Sequence, residues 1–165
     1  MSDFKTELTR RYRFSASHRL HSPELTELEN AEIYGKCNNP YGHGHDYVLD
    51  VTAAGEPHPA TGLSLPLAHL DRLVTENVLT LFAYRYINKD VRAFRTQIPT
   101  TENVARYIAE LLENNWRRYI FNSGARLSRI RLQETDRNSF EILLGTPGRN
   151  RVENAARETI LTRGH

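Results

Sequence analysis

Two histidines one residue apart, His43 and His45, open a stretch that runs apolar to Ala54, and no other feature constrains the fold of this 165-residue chain as strongly. Residues 45–54, His-Asp-Tyr-Val-Leu-Asp-Val-Thr-Ala-Ala, have the β-branched and apolar content of a strand. In a strand, side chains at i and i+2 share a face, so both imidazoles point the same way. The segment before them, Tyr34-Gly-Lys-Cys-Asn-Asn-Pro-Tyr-Gly42, is rich in turn residues and holds the chain's single cysteine, Cys37. A second alternating run lies near the N-terminus. Tyr12, Phe14, Ala16 and His18 share one parity and Arg11 and Arg13 the other, which predicts a half-buried strand with His18 on its aromatic face.

Most histidines in proteins bind nothing, and a His-x-His pair alone is weak evidence for a metal. Two imidazoles on one face do suit zinc, and a catalytic zinc takes a third protein ligand and an open fourth position. His18 is the candidate third ligand. Cys37 is near enough in sequence to reach such a site without being required as a ligand. A Cys2His2 structural site is disfavoured by the presence of only one cysteine.

Further along, Leu67, Leu70, Leu73, Val74, Val78 and Leu81 predict a helix over 67–82 with His69, Asp71, Arg72 and Glu76 mostly outward. Residues 83–99 read as irregular. Thr100 caps a second helix that ends near Tyr119, and two strands follow over 126–134 and 139–144, linked by Asp136-Arg137-Asn138. This order predicts an α+β domain over residues 1–146, with two helices on one face of a four-stranded antiparallel sheet. Residues 147–165 read as a polar C-terminal extension. The formal net charge of +2 does not argue for nucleic acid, and no apolar run approaches the roughly 20 residues of a membrane span. Met1–Lys5 lacks the apolar core of a signal peptide, and one cysteine suits a reducing compartment, so the expected setting is cytoplasmic.

Four motifs together resemble the 6-pyruvoyl-tetrahydropterin synthase family, which includes the bacterial 6-carboxy-tetrahydropterin synthases. They are Phe14-Ser-Ala-Ser-His18-Arg-Leu20, Gly35-Lys-Cys37-Asn-Asn-Pro-Tyr-Gly-His43-Gly-His45, Thr100-Thr-Glu-Asn103 and Glu134-Thr-Asp136. The resemblance spans about residues 9–144. It implies the tunnelling fold, in which strands of several subunits join into a barrel and trimers stack as hexamers. It also implies that His18, His43 and His45 hold Zn2+, that Cys37 is the catalytic thiol, that Glu134 anchors the pterin ring, and that Thr101 and Glu102 contact it. The expected activity is a zinc-dependent lyase reaction on a reduced pterin such as 7,8-dihydroneopterin triphosphate.

One family motif is altered. Where the family carries Leu-Asp-His-Lys-x-Leu-Asn, whose Asp and His complete the proton relay with the cysteine, this chain has Phe82-Ala-Tyr-Arg-Tyr-Ile-Asn88. Ala83 cannot orient or charge a neighbour. Tyr84, with an ordinary pKa of about 10, is a poor base near neutral pH but can act as an acid or hydrogen-bond donor. The resemblance therefore implies a lyase with altered proton transfer through Cys37 and Tyr84; the alternative is a non-catalytic zinc- and pterin-binding relative. His69 is a further candidate to replace the missing histidine.

Overall fold

The computed structural model describes residues 6–121 and 123–145. Strands β1 (Glu7–His18), β2 (His43–Ala54), β3 (Arg126–Gln133) and β4 (Ser139–Leu143) form one antiparallel sheet in the order β1-β2-β3-β4. Every strand pairs with its neighbour in sequence, and the two long excursions between strands supply the helices. The β1–β2 ladder sets Phe14 opposite Tyr47, Ala16 opposite His45 and His18 opposite His43. A one-residue slip would turn all of these side chains to the other face, so the apolar parity of both strands holds the register.

One face of the sheet is apolar. Phe14 stacks on Tyr47 with ring centroids 5.1 Å apart, and Leu49, Val51, Ile130 and Leu132 continue the layer. Helices α2 (Leu67–Val74) and α5 (Thr101–Tyr119) cover it with buried Leu70, Leu73, Val104, Ile108 and Leu112. The other face is polar: Arg11 grips Asp50 through two hydrogen bonds of 2.8 and 2.9 Å, and the Thr9 and Thr52 hydroxyls meet at 2.9 Å. The two strand parities expected from the sequence are thus the two faces of the sheet.

Two expectations need correction and a third gains a detail. The helix expected over 67–82 is present without a break, but α2 widens into a π turn over Thr75–Leu79 before a last short turn, α3 (Thr80–Phe82). There the Thr80 hydroxyl donates to the Thr75 carbonyl at 2.8 Å and the Asn77 amide to the Leu73 carbonyl at 2.9 Å. Side chains that bond to preceding carbonyls compete with the regular ladder. Asp71 does not point outward but reaches back to β1, accepting from Arg10 Nη2 at 2.7 Å and from the Tyr12 hydroxyl at 2.9 Å. Residues 83–99 are not irregular throughout, because they contain α4 (Ile87–Asp90) and a 3-10 turn over Arg92–Arg95 that buries Phe94. These are single turns too short to show a period.

Between the first two strands lies α1 (Glu27–Tyr34), begun by a capping box in which Thr26 and Glu29 bond each other's backbone N–H groups. A 3-10 turn, Gly35–Asn38, follows it and carries Cys37. The proposed domain boundary at 146 and the extension 147–165 lie outside the described residues. No helix among the described residues is long and apolar enough to cross a membrane.

Candidate metal centre

The ladder that aligns β1 with β2 also assembles the site. His18 ends β1, His43 lies directly across from it, and His45 is two residues further on the same face. Their ring centroids are 5.0 Å (His18–His43), 5.1 Å (His18–His45) and 4.4 Å (His43–His45) apart. The chain enters β2 through Gly42, at φ +73°, where a Cβ would lie 2.9 Å from both the His18 carbonyl oxygen and Tyr86 Cε2. Only glycine meets both the backbone angle and the space.

His18 is wholly buried, and its Nδ1 lies 2.9 Å from the carbonyl of Pro99, just before α5. A carbonyl only accepts, so Nδ1 carries the proton and Nε2 presents a lone pair. Metal-bound histidines are oriented in this same way. The Nε2 atoms of His18, His43 and His45 are all buried without a hydrogen-bond partner among the described residues. Three orphaned buried nitrogens in one cluster are costly unless something else satisfies them. Burial also pushes the His18 and His43 pKa values below the ordinary imidazole value, keeping both rings neutral and able to ligate. The donor set suits zinc, which accepts imidazole nitrogen and thiolate sulfur alike.

Cys37 reaches this cluster from the 3-10 turn. The Leu20 N–H donates to its carbonyl at 2.7 Å, and Arg19 Nε donates to the next carbonyl, of Asn38, at 3.3 Å. One donor atom from each of His18, Cys37, His43 and His45 lies within 4.8 Å of the other three. Burial, and secondarily the nearby Glu134 charge, raises the Cys37 pKa, so without a cation the thiol is protonated at neutral pH. Glu134 follows β3 directly. Its Oε1 sits 3.6 Å from His18 Nε2 and 3.7 Å from His45 Nε2, with the side chain only 10% exposed.

The remaining residues singled out from the sequence are placed differently. Thr101 is buried in the first turn of α5, two residues past the carbonyl that holds His18, and Glu102 beside it is exposed. Tyr84 is 89% exposed and sits at φ +60°. Its N–H donates to the Ser15 carbonyl at 2.7 Å, and the next carbonyl, of Arg85, accepts from the Ser17 N–H at 2.9 Å. The segment is thereby laid along β1, and Tyr84 lines an open cleft of 660 Å³ that His45, alone of the four clustered residues, also borders. His69 packs against Phe121, centroids 5.1 Å apart, in a pocket shared with Arg72, Arg118 and Tyr119 and outside the cluster.

Two residues of the site escape a reading of the sequence. Tyr47 has the parity of His43 and His45, its ring is 5.7 Å from that of His45, and its buried hydroxyl has no partner among the described residues. Burial pushes its pKa up, so it is a neutral donor at the cluster wall. Its parity is a usable signal. Asn88 clamps the backbone just after His18, accepting from the Arg19 N–H at 2.8 Å and donating to the Arg19 carbonyl at 2.9 Å. Nothing local to Asn88 announces that role.

Fold and site together define an α+β protein whose antiparallel sheet presents a cluster of three histidines able to hold a metal, with a thiol and a carboxylate beside it. The family model described as 6-pyruvoyl tetrahydropterin synthase matches residues 7–143, and the chain belongs to that family. It is 42% identical over 132 residues to the 6-pyruvoyl tetrahydrobiopterin synthase of Poecilia reticulata, covering 79% of this chain and 85% of that one. To the human 6-pyruvoyl tetrahydrobiopterin synthase it is 40% identical over 134 residues, covering 81% and 88%. Among solved structures it is similar to the Caenorhabditis elegans 6-pyruvoyl tetrahydropterin synthase, with 38% identity, a TM-score of 0.76 and coverage of 86% and 96%. The domain is therefore a tunnelling fold of the α+β class.

Proposed function

We propose that this protein is a zinc-dependent lyase acting on a reduced pterin such as 7,8-dihydroneopterin triphosphate, giving a 6-pyruvoyl- or 6-carboxy-tetrahydropterin product. The observation that carries the proposal is the convergence of three buried, unpartnered imidazole nitrogens with a thiol and a carboxylate in one cluster. The names of relatives at about 40% identity support the substrate class.

The roles follow from the chemistry of the side chains. His18, His43 and His45 would hold the zinc. When bound, the zinc supplies Lewis acidity that makes the carbon-bound hydrogens beside coordinated side-chain oxygens easier to remove. Glu134 can accept two hydrogen bonds from the amino-pyrimidine edge of a pterin, as a carboxylate does from a guanidinium. Thr101 and Glu102, at the start of α5, supply further polar contacts. Cys37 takes and returns protons as a thiolate. Tyr84 is the second proton-transfer group; because it lies outside the cluster of its own chain, it serves the site of a neighbouring copy, within the homo-hexamer of paired trimers that the family resemblance implies.

The test is incubation of the zinc-loaded protein with 7,8-dihydroneopterin triphosphate and identification of products by mass spectrometry. A product that disappears with Cys37→Ala establishes the lyase, and its mass states whether side-chain carbon was lost. Substrate that binds stoichiometrically and elutes unchanged refutes turnover. That result would favour a non-catalytic pterin binder, the reading to which Ala83 and Tyr84 in place of the Asp-His pair otherwise point.

A further inference from the structure

We infer that Cys37 is a fourth protein ligand of the metal, closing in the resting protein a centre that three histidines alone would leave open. The inference rests on the metal-site reading above and extends it to this chain's own thiol.

Four arguments carry it. First, the donor atoms of His18, Cys37, His43 and His45 lie mutually within 4.8 Å. Zinc bonds of about 2.0–2.1 Å to nitrogen and 2.3 Å to sulfur put tetrahedral ligands roughly 3.3–3.6 Å apart. Contraction by about 1.2–1.5 Å at the widest separation, within reach of side-chain torsions, would bring all four together. Second, His18 in the same cluster is wholly buried, its Nε2 has no partner among the described residues, and its other nitrogen is held by the Pro99 carbonyl. Third, Cys37 Sγ makes no hydrogen bond among the described residues, although a backbone bond from Leu20 and a side-chain bond from Arg19 hold its turn against the end of β1. It is a positioned thiol without a partner. Fourth, the groups that would keep such a thiol ionised elsewhere in the family are absent here. Ala83 carries no charge, and Tyr84, 89% exposed, lines an open cleft that of the four clustered residues only His45 borders.

Ligation supplies what those groups do not. On binding, the Cys37 S–H bond breaks, its electron pair becomes the sulfur–metal bond, and the proton leaves to solvent; no oxidant or reductant is needed. A thiolate held in this way can be exchanged for substrate oxygens and is then a base already ionised beside them. In this chain metal ligation replaces the Asp-His pair as the means of keeping Cys37 deprotonated.

The full-length protein loaded with one equivalent of Co2+ tests the inference by absorption. A near-ultraviolet sulfur-to-cobalt charge-transfer band is expected, and Cys37→Ser should lose that band while still binding one metal through the histidines. Its metal affinity should fall on the order of 10–100-fold, at least what is lost with a group that only supports a ligand. Zinc-edge X-ray absorption of the unmutated protein gives a second readout that needs no variant: one sulfur at about 2.3 Å beside nitrogen at about 2.0–2.1 Å. A bound metal with no charge-transfer band and only light-atom ligands overturns the inference, and would assign the fourth position to Glu134 or to solvent. Failure to bind zinc or cobalt at all overturns both the inference and the metal-site reading beneath it.

Discussion

Substituting Gly42 by alanine perturbs the turn that delivers both His43 and His45 to the site. Two costs add. The residue sits at φ +73°, a region that costs an L side chain about 1–2 kcal/mol. The new Cβ would also lie 2.9 Å from the His18 carbonyl oxygen and from Tyr86 Cε2, and the first of these is backbone in the β1–β2 ladder. Overpacking of this kind costs about 1–3 kcal/mol. A sum of about 3 kcal/mol at roughly 2–4 °C per kcal/mol lowers Tm by about 10 °C. The strain falls on His18, so metal affinity should drop on the order of tenfold as well. Two other glycines separate the contributions. Gly35, at φ +51° and ψ −123°, has nothing within 4 Å of where a Cβ would stand and should show a backbone cost alone, about 1–3 kcal/mol for a conformation sparsely open to L side chains. At Gly44 a Cβ meets only the Ala16 carbonyl oxygen at 3.7 Å, so alanine there should be neutral or slightly stabilising. Urea melts of the three variants with zinc titrations are the assay. A Gly42→Ala protein within about 0.5 kcal/mol of its parent would refute the steric argument.

Other outcomes follow from the same geometry. His18→Ala should abolish tight metal binding, and in the metal-free protein should still cost at least about 1–3 kcal/mol because it leaves the buried Pro99 carbonyl without its donor; metal analysis and urea denaturation read the two effects separately. Tyr84→Gly removes an exposed side chain from the left-handed region and should hold or raise stability by up to about 1 kcal/mol while lowering turnover; lost stability would show that the phenol packs on something within the chain. Asp50 and Asp71 are held below the ordinary aspartate value, first by hydrogen bonds from Arg11 and Arg10 respectively. A carboxylate with a depressed folded pKa contributes stability above its unfolded pKa and loses it as pH falls through the folded value. Stability should therefore decline as pH drops below about 4, and Asp50→Asn should flatten part of that decline in pH-dependent melts.

Much of the site is legible in the residues because its elements are local. Period-2 alternation puts Phe14, Ala16 and His18 on one face and His43, His45 and Tyr47 on another strand's matching face, and a strand's geometry permits no other arrangement. The Thr100 cap and the apolar stripe of α5 are equally local. Other features have no such signal. The Asp71 carboxylate pairs with Arg10 across 61 positions, so the helical period that marks its face as outward says nothing of the partner that draws it back. The single turns between Tyr86 and Arg95 are too short for any period to declare them.

By itself the sequence determined which histidines face the same side and which residues begin and end the long elements, because both depend on dihedral periods and caps within a few residues. The tertiary structure alone decided which ring nitrogen of His18 is free, since the carbonyl that settles it belongs to Pro99, 81 positions away. It alone brought the Cys37 sulfur to the histidines and left Tyr84 exposed outside their cluster, because backbone hydrogen bonds to different stretches of β1 and its end fix those two segments. Hydrogen bonds between distant segments carry no sequence period, and in this protein they decide the chemistry.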